Sequence, residues 1–135
     1  MELLLDTSAI TTVLVGEPER ETVINLTKNV TIVAPSVVPF EIANGLTKMM
    51  KKKIIDRNKM IEVFSYFQRI PIKLIDVNIK HSLEIAWEYN IYAYDAFYLE
   101  PAQRLGLPLL TFDGNMARVG SEIGLIILGG KDAGI

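Results

Sequence analysis

The sequence predicts an α/β fold, a mainly parallel sheet with helices on both faces. Short apolar runs alternate with segments of helical periodicity along the chain. The runs carry little polar alternation (Leu3-Leu4-Leu5 is one), as strands buried on both faces require. Acidic residues stand just past two of the runs, Asp6 after the first and Asp113 after Leu109-Leu110-Thr111-Phe112. The ends of parallel strands are where α/β proteins build their sites.

The elements follow in order. Leu3 to Leu5 reads as a buried strand, and Ser8 to Val15 as one or two helical turns broken at Gly16-Glu17-Pro18. Glu19 to Lys28 is helical and mostly polar. Thr31 to Ala34 is the second strand, closed by Pro35. Ser36 is the expected N-cap of a helix that has Pro39 in its first turn and runs to about Met50. A basic connection, Lys51-Lys52-Lys53, leads to a helix from Asn58 to Arg69. Ile72 to Ile75 is the third strand, and Asn78 caps a helix to Tyr89. Tyr94 to Leu105 is a helix ended by Gly106. Within it Pro101 cannot donate to the Phe97 carbonyl and crowds it, which predicts a kink or a restart. Leu107 to Thr111 is strand four, Asn115 to Ser121 a short helix, and Leu125 to Leu128 strand five. Residues 1–128 are expected to form one domain, with a mobile glycine-rich tail at 129–135.

Composition narrows the chemistry. With 135 residues and 50% hydrophobic content the chain can bury a real core, which argues against disorder. The net charge of −2 supplies no global basic field for nucleic acid, so an anionic substrate needs cations or local basic groups. The absence of cysteine excludes disulfides, thiol nucleophiles and cysteine-ligated zinc. One histidine, His81, cannot build a multi-histidine metal site. No apolar run approaches the ~18 residues of a membrane span, and the N-terminus lacks signal-peptide character, so a cytoplasmic protein without membrane attachment is expected.

Four acids stand where this fold would gather them: Asp6, Glu41, Asp95 and Asp113. Clustered carboxylates repel one another unless protons or cations intervene. A divalent metal is the natural remedy, and it points to phosphodiester chemistry. Structural readings stand beside this one. Asp6 caps a helix, Asp113-Gly114 is a turn pair, Asp95 caps its own helix, and Glu41 is a solvated helix residue.

The segments around the acids form a pattern. They are Leu4-Leu5-Asp6-Thr7-Ser8-Ala9, Pro39-Phe40-Glu41-Ile42-Ala43, Tyr94-Asp95-Ala96-Phe97-Tyr98-Leu99 and Leu109-Leu110-Thr111-Phe112-Asp113. Taken in order they resemble the PIN domain, and among PIN domains the VapC-type toxin ribonucleases. The resemblance implies a three-layer α/β/α fold and a five-stranded parallel sheet in the order 3-2-1-4-5. It makes Asp6, Glu41, Asp95 and Asp113 the catalytic acids and the ligands of one or two Mg2+ or Mn2+ ions, which favour hard oxygen donors. It makes Ser8 and Thr111 supports for those ligands. It also implies an RNA substrate, a small antitoxin that occludes the acidic site, and a homodimer. The Glu100-Pro101 pair departs from the family's small and apolar continuation of the Asp95 helix. Glu100 is then either an additional acid of the crevice or a first-turn residue of a restarted helix.

Two rivals remain open. One is a PIN nuclease of RNA maturation or decay without an antitoxin; the other is a PIN-like module that binds without cutting. A receiver-type phosphoacceptor lacks its paired acids after strand one.

Other features divide between function and packing. Lys51, Lys52, Lys53 and Arg57, flanked by Lys48 and Lys59, either steer an RNA backbone or form a solvated helix end, and the position just past a helix favours the latter. Arg104 and Arg118 lie nearer the acids and are candidate phosphate contacts. Phe64, Tyr66, Phe67, Tyr89, Tyr92 and Tyr94 either stack on bases or pack in the core. His81 is expected at a helix surface and Trp87 in the core. Met49, Met50, Ile54 and Ile55 give an apolar band around the lysines.

Overall fold

A computed structural model of the chain describes residues 1–129, so the expected tail beyond Gly129 lies outside the described residues. The elements are β1 (Glu2–Leu5), α1 (Thr7–Val15), α2 (Arg20–Leu26), β2 (Thr31–Pro35), α3 (Val38–Lys51) and α4 (Arg57–Arg69). They continue with β3 (Ile72–Ile75), α5 (Ile79–Tyr89), α6 (Ala93–Leu105), β4 (Leu109–Leu110), α7 (Gly114–Glu122) and β5 (Ile127–Leu128).

The five strands form one sheet in the order β3-β2-β1-β4-β5, and every neighbouring pair is parallel. Register sets Leu4 opposite Val33 on one side and opposite Leu109 on the other. Consecutive residues of β1, Leu3, Leu4 and Leu5, are all buried, so both faces of the central strand are covered. The helices pack as two groups. α1 meets α2, α3 and α4, while α6 meets α5, α7 and the strands β1 and β2. The result is the three-layer α/β/α arrangement expected. Because β1 lies between β2 and β4, the order of the chain reverses across it, and the crevice of an open parallel sheet forms at the carboxyl ends of β1 and β4.

Most helix ends follow local chemistry. Asn78 caps α5 by accepting from the His81 N–H at 2.9 Å, and Asp56 caps α4 through the Lys59 N–H at 2.8 Å. Gly106 ends α6 at φ 66°, a left-handed conformation that glycine adopts without strain.

Four expectations are corrected. Ser36 does not cap α3; its N–H pairs with the Ile75 carbonyl, Val37 takes the cap position without a side-chain bond, and Pro39 stands in the first turn. Of the kink or restart expected at Pro101, the restart does not occur, because α6 runs as one helix from Ala93 to Leu105. Ala96, Leu99, Pro101 and Ala102 are all buried, so packing of this face outweighs the local cost of the proline. Trp87 is 90% exposed, because α5 turns Ser82 and Ile85 inward and leaves Ile79, Leu83 and Trp87 on its outer side. Strands four and five are each two residues long, shorter than their apolar runs suggested.

Candidate active site

Asp6 is the residue immediately after β1, and its carboxylate is only 2% exposed. Its extended backbone makes it the N-cap of α1, with Oδ1 accepting from the Ala9 N–H at 3.0 Å. Ser8 Oγ also donates to Oδ1 at 2.6 Å, and Thr111 Oγ1 donates to Oδ2 at 2.5 Å. Both hydroxyls are tied to the segment after β4. Ser8 Oγ accepts from the Phe112 N–H, and Thr111 Oγ1 from the Asp113 N–H, each at 3.0 Å. Gly129 closes over the same segment at φ 89°; a Cβ there would lie 2.6 Å from the Thr111 carbonyl oxygen, so no side chain fits.

Among the described residues, every donor to Asp6 is neutral. Burial raises its pKa, the bonds from Ser8, Thr111 and Ala9 oppose that rise, and the charge of Asp113 adds to it.

Asp113 is exposed and caps α7 through the Met116 N–H at 2.9 Å. Capping therefore holds as a structural reading for both Asp6 and Asp113, and it does not compete with a site, since a capping carboxylate keeps lone pairs for a further partner. Asp95 lies in the first turn of α6, half-buried and without a capping bond. Its pKa is raised by burial and then by Asp113. Glu41, half-buried in the first turn of α3, is raised chiefly by burial, with a further push from Asp95 and opposition from Tyr98, Thr7 and Lys48. The acids thus feel one another in a chain from Asp6 through Asp113 and Asp95 to Glu41, and none enters an ion pair among the described residues.

The donor set fits a hard divalent cation, since it consists of carboxylate and hydroxyl oxygens. Among the described residues, no three acidic or histidine side chains gather into a set that could hold an ion as they stand. Like charges oppose a tighter cluster until a cation offsets them, and both oxygens of Asp6 are occupied by hydroxyl and amide donors.

Two hydroxyls beside the acids escaped the sequence reading. Tyr98 Oη donates to Glu41 Oε1 at 2.5 Å and meets Thr7 Oγ1 at 2.6 Å. The available signals were local: Thr7 adjoins Asp6, and Tyr98 follows Asp95 by three residues, one turn along the same helix face.

The remaining candidates separate from the acids. Glu100 is neither a crevice acid nor a first-turn residue. It is fully buried, with Arg104 Nε donating to Oε1 at 2.7 Å and the Asn78 N–H to Oε2 at 2.9 Å. Arg118 pairs with Glu122 at 3.0 Å, so both arginines are engaged by protein groups. Lys51, Lys52 and Lys53 are exposed at the C-terminal end of α3. Ten residues of helix separate Lys51 from Glu41, about 15 Å along the axis. Phe67 is buried, Tyr66 receives Arg69 over its ring at 5.6 Å, and Tyr92 and Tyr94 are exposed. A cavity of about 200 Å³ lined by Gln103, Leu107, Pro108, Ile123 and Leu125 opens where β4 and β5 begin, away from the acids.

The family model of the PIN domain matches residues 3–122. Over 122 residues the chain is 25% identical to ribonuclease VapC3 of Pyrobaculum aerophilum, covering 87% of this chain and 93% of that one. The structure of VapBC2 from Rickettsia felis, bound to a DNA fragment of its promoter, aligns with a TM-score of 0.68 and 22% identity over 96% of this chain and 98% of that one. Mycobacterium tuberculosis VapC20, a toxin that cleaves the sarcin-ricin loop, aligns with a TM-score of 0.63 and 15% identity over 92% and 96%. The structural likenesses speak to a shared fold. No helix among the described residues is long and apolar enough to cross a membrane.

Proposed function

The chain belongs to the PIN domain family, and from that premise we propose that it is a divalent-metal-dependent ribonuclease, the toxin of a VapBC-type toxin–antitoxin pair. The observation that carries the reading is the setting of Asp6, a buried carboxylate at the switch point of the sheet that three neutral donors hold and no cation among the described residues pairs with. Glu41, Asp95 and Asp113 add negative charge around the same crevice. Such a site suits an external cation.

In this reading Asp6, Glu41, Asp95 and Asp113 hold Mg2+ or Mn2+. Divalent ions supply Lewis-acid charge for the attacking and leaving oxygens of an in-line displacement at phosphorus. The chain's own residues prepare the place. Ser8 and Thr111 fix both oxygens of Asp6, so the carboxylate loses little freedom when a ligand arrives. The half-buried carboxylates of Glu41 and Asp95 face partly to solvent and can accept a hydrogen bond from the attacking water. The partners of this reading are an RNA substrate, a small antitoxin that covers the acidic crevice, and a second copy of the chain.

Cleavage of RNA by the purified protein with Mg2+, with Mn2+ and with EDTA, beside Asp6→Asn, tests it. Cutting that requires the metal and disappears in the variant is the expected result. Cutting that survives in EDTA or in Asp6→Asn would remove the assignment.

A further inference from the structure

We propose that Tyr98 is a positioning residue that sets the Glu41 carboxylate against Asp95 for metal binding; the proposal rests on the nuclease reading above. Three elements meet at its hydroxyl. Thr7, at the start of α1, lies 2.6 Å away, Glu41 of α3 accepts at 2.5 Å, and Tyr98 itself belongs to α6. A phenol carries one proton. With that proton given to Glu41 Oε1, Thr7 must be the donor in the Thr7–Tyr98 contact. The hydroxyls then form a short relay, from Thr7 to Tyr98 to Glu41. The longer approach of Thr7 to Glu41, 3.4 Å, is left without a proton of its own.

The geometry gives Tyr98 leverage. Its ring is 2% exposed, so the hydroxyl is held by core packing and has little freedom of its own. Asp95 precedes it by one turn on the same face of α6, and Thr7 directly follows Asp6. One hydroxyl therefore ties the acid of α3 to the elements that carry Asp95 and Asp6. Among the described residues the Glu41 side chain has only the Tyr98 bond and the longer Thr7 approach, both on Oε1, and its Oε2 takes none. Gly45, one turn further along α3, offers no side chain to restrain it. Oε1 is thus the tethered oxygen, and Oε2 is left without a donor among the described residues. Without the phenol, a long and half-exposed glutamate recovers its rotamer freedom and points to solvent part of the time.

Calorimetric titration with Mn2+, without RNA, separates the possibilities for the wild type, Tyr98→Phe, Glu41→Gln and the double variant. Tyr98→Phe keeps the buried ring and is expected to weaken Mn2+ binding about tenfold, the usual scale for a residue that orients a metal ligand. In the Glu41→Gln background the same change should add nothing, because the group it orients is gone. Thr7→Val, which leaves the ring untouched, should shift affinity in the same direction by less. Thermal melting monitored by circular dichroism accompanies each titration. A lower melting temperature with wild-type Mn2+ affinity would make Tyr98 a packing residue only and overturn the proposal. Additive losses in the double variant would overturn it too. A wild-type protein that takes up no Mn2+ would overturn the nuclease reading itself, and with it this one.

Discussion

Asp6 and Glu100 are the two acids the fold buries completely among the described residues, and their surroundings are opposite. Glu100 meets a guanidinium: Arg104 Nε lies 2.7 Å from Oε1, and the Asn78 N–H supplies a further bond to Oε2. Arg104 also donates to the Asp76 carbonyl at 3.0 Å, so the pair fastens α6 to the connection between β3 and α5. Asp6 has as many hydrogen bonds and no ion pair among the described residues, and the charge that acts on it is that of another acid, Asp113. Burying a charge is costly unless a partner offsets it. The difference teaches that burial alone does not mark a site. A buried acid with its own arginine fits a structural role, whereas a buried acid held by neutral donors beside like charges supports the proposed external cation.

Substitution at each acid should break the pair of cases apart. Asp6→Asn should reduce metal-dependent RNA cleavage by on the order of a thousandfold or more while the protein stays folded, as is usual when a group central to the reaction is lost. Steady-state cleavage with Mn2+, read beside circular dichroism, measures both. Near-normal cleavage would place Asp6 with Glu100 among the structural acids.

Arg104→Ala should do the reverse. It strands a buried carboxylate, and because Arg104 is itself half exposed the cost should fall near the lower end of the range for broken buried pairs, about 3 kcal/mol. Cleavage per folded molecule should not change. Urea unfolding gives the first quantity and active-fraction kinetics the second.

Added cation should stabilise only the acidic end. At about 100 times its dissociation constant, Mn2+ should raise the unfolding free energy of the wild type by about 2.7 kcal/mol and that of Asp6→Asn by much less. Thermal melts at matched pH and ionic strength compare the two.

Acid should partly substitute for the cation. The folded pKa values of Asp6, Glu41 and Asp95 are raised above their ordinary values, mainly by burial. Folded protein therefore binds these protons more tightly than unfolded chain. Their contribution to stability is fully present below the unfolded values and lost as pH rises through the folded ones. In EDTA, melting temperature should climb relative to Asp6→Asn as pH falls through the raised folded values toward the ordinary carboxylate range. A constant difference between the two proteins across that interval would deny that Asp6 is strained by its charge.

The smallest expected effect concerns the lysines, which belong to neither acid. Replacing Lys51, Lys52 and Lys53 together should lower the salt dependence of RNA binding by about one or two in log–log slope if they reach phosphate. An unchanged slope returns them to a solvated helix end.

Much of the frame was legible in residues close together in the chain. Leu3, Leu4 and Leu5 announced a strand covered on both sides, Asn78 announced a cap, and Gly106 announced a helix end. Each of these signals acts within a few residues, through periodicity, capping or a permitted φ. The placement of Asp6 and Asp113 just past apolar runs also followed from order along the chain, and the strand order 3-2-1-4-5 from resemblance to a family. What the surroundings of a residue would be did not follow. Trp87 shares the helical spacing of a core face and lies outside, because which side of α5 turns inward is set by α6 beneath it. Pro101 breaks an isolated helix and is carried through this one by burial on every side.

By itself, then, the sequence determined the alternation of elements, the hard-oxygen character of the candidate site and the ends of strands at which the acids stand. Tertiary structure alone decided which acid is balanced and which is not. Thr111 reaches Asp6 across 105 residues, Tyr98 reaches Glu41 across 57, and Thr7 meets Tyr98 across 91. Contacts at such separations exist only after the sheet has brought β1 beside β4 and laid α6 over it. Hydrogen bonds and ion pairs act over a few ångströms, and nothing local in the chain encodes that proximity.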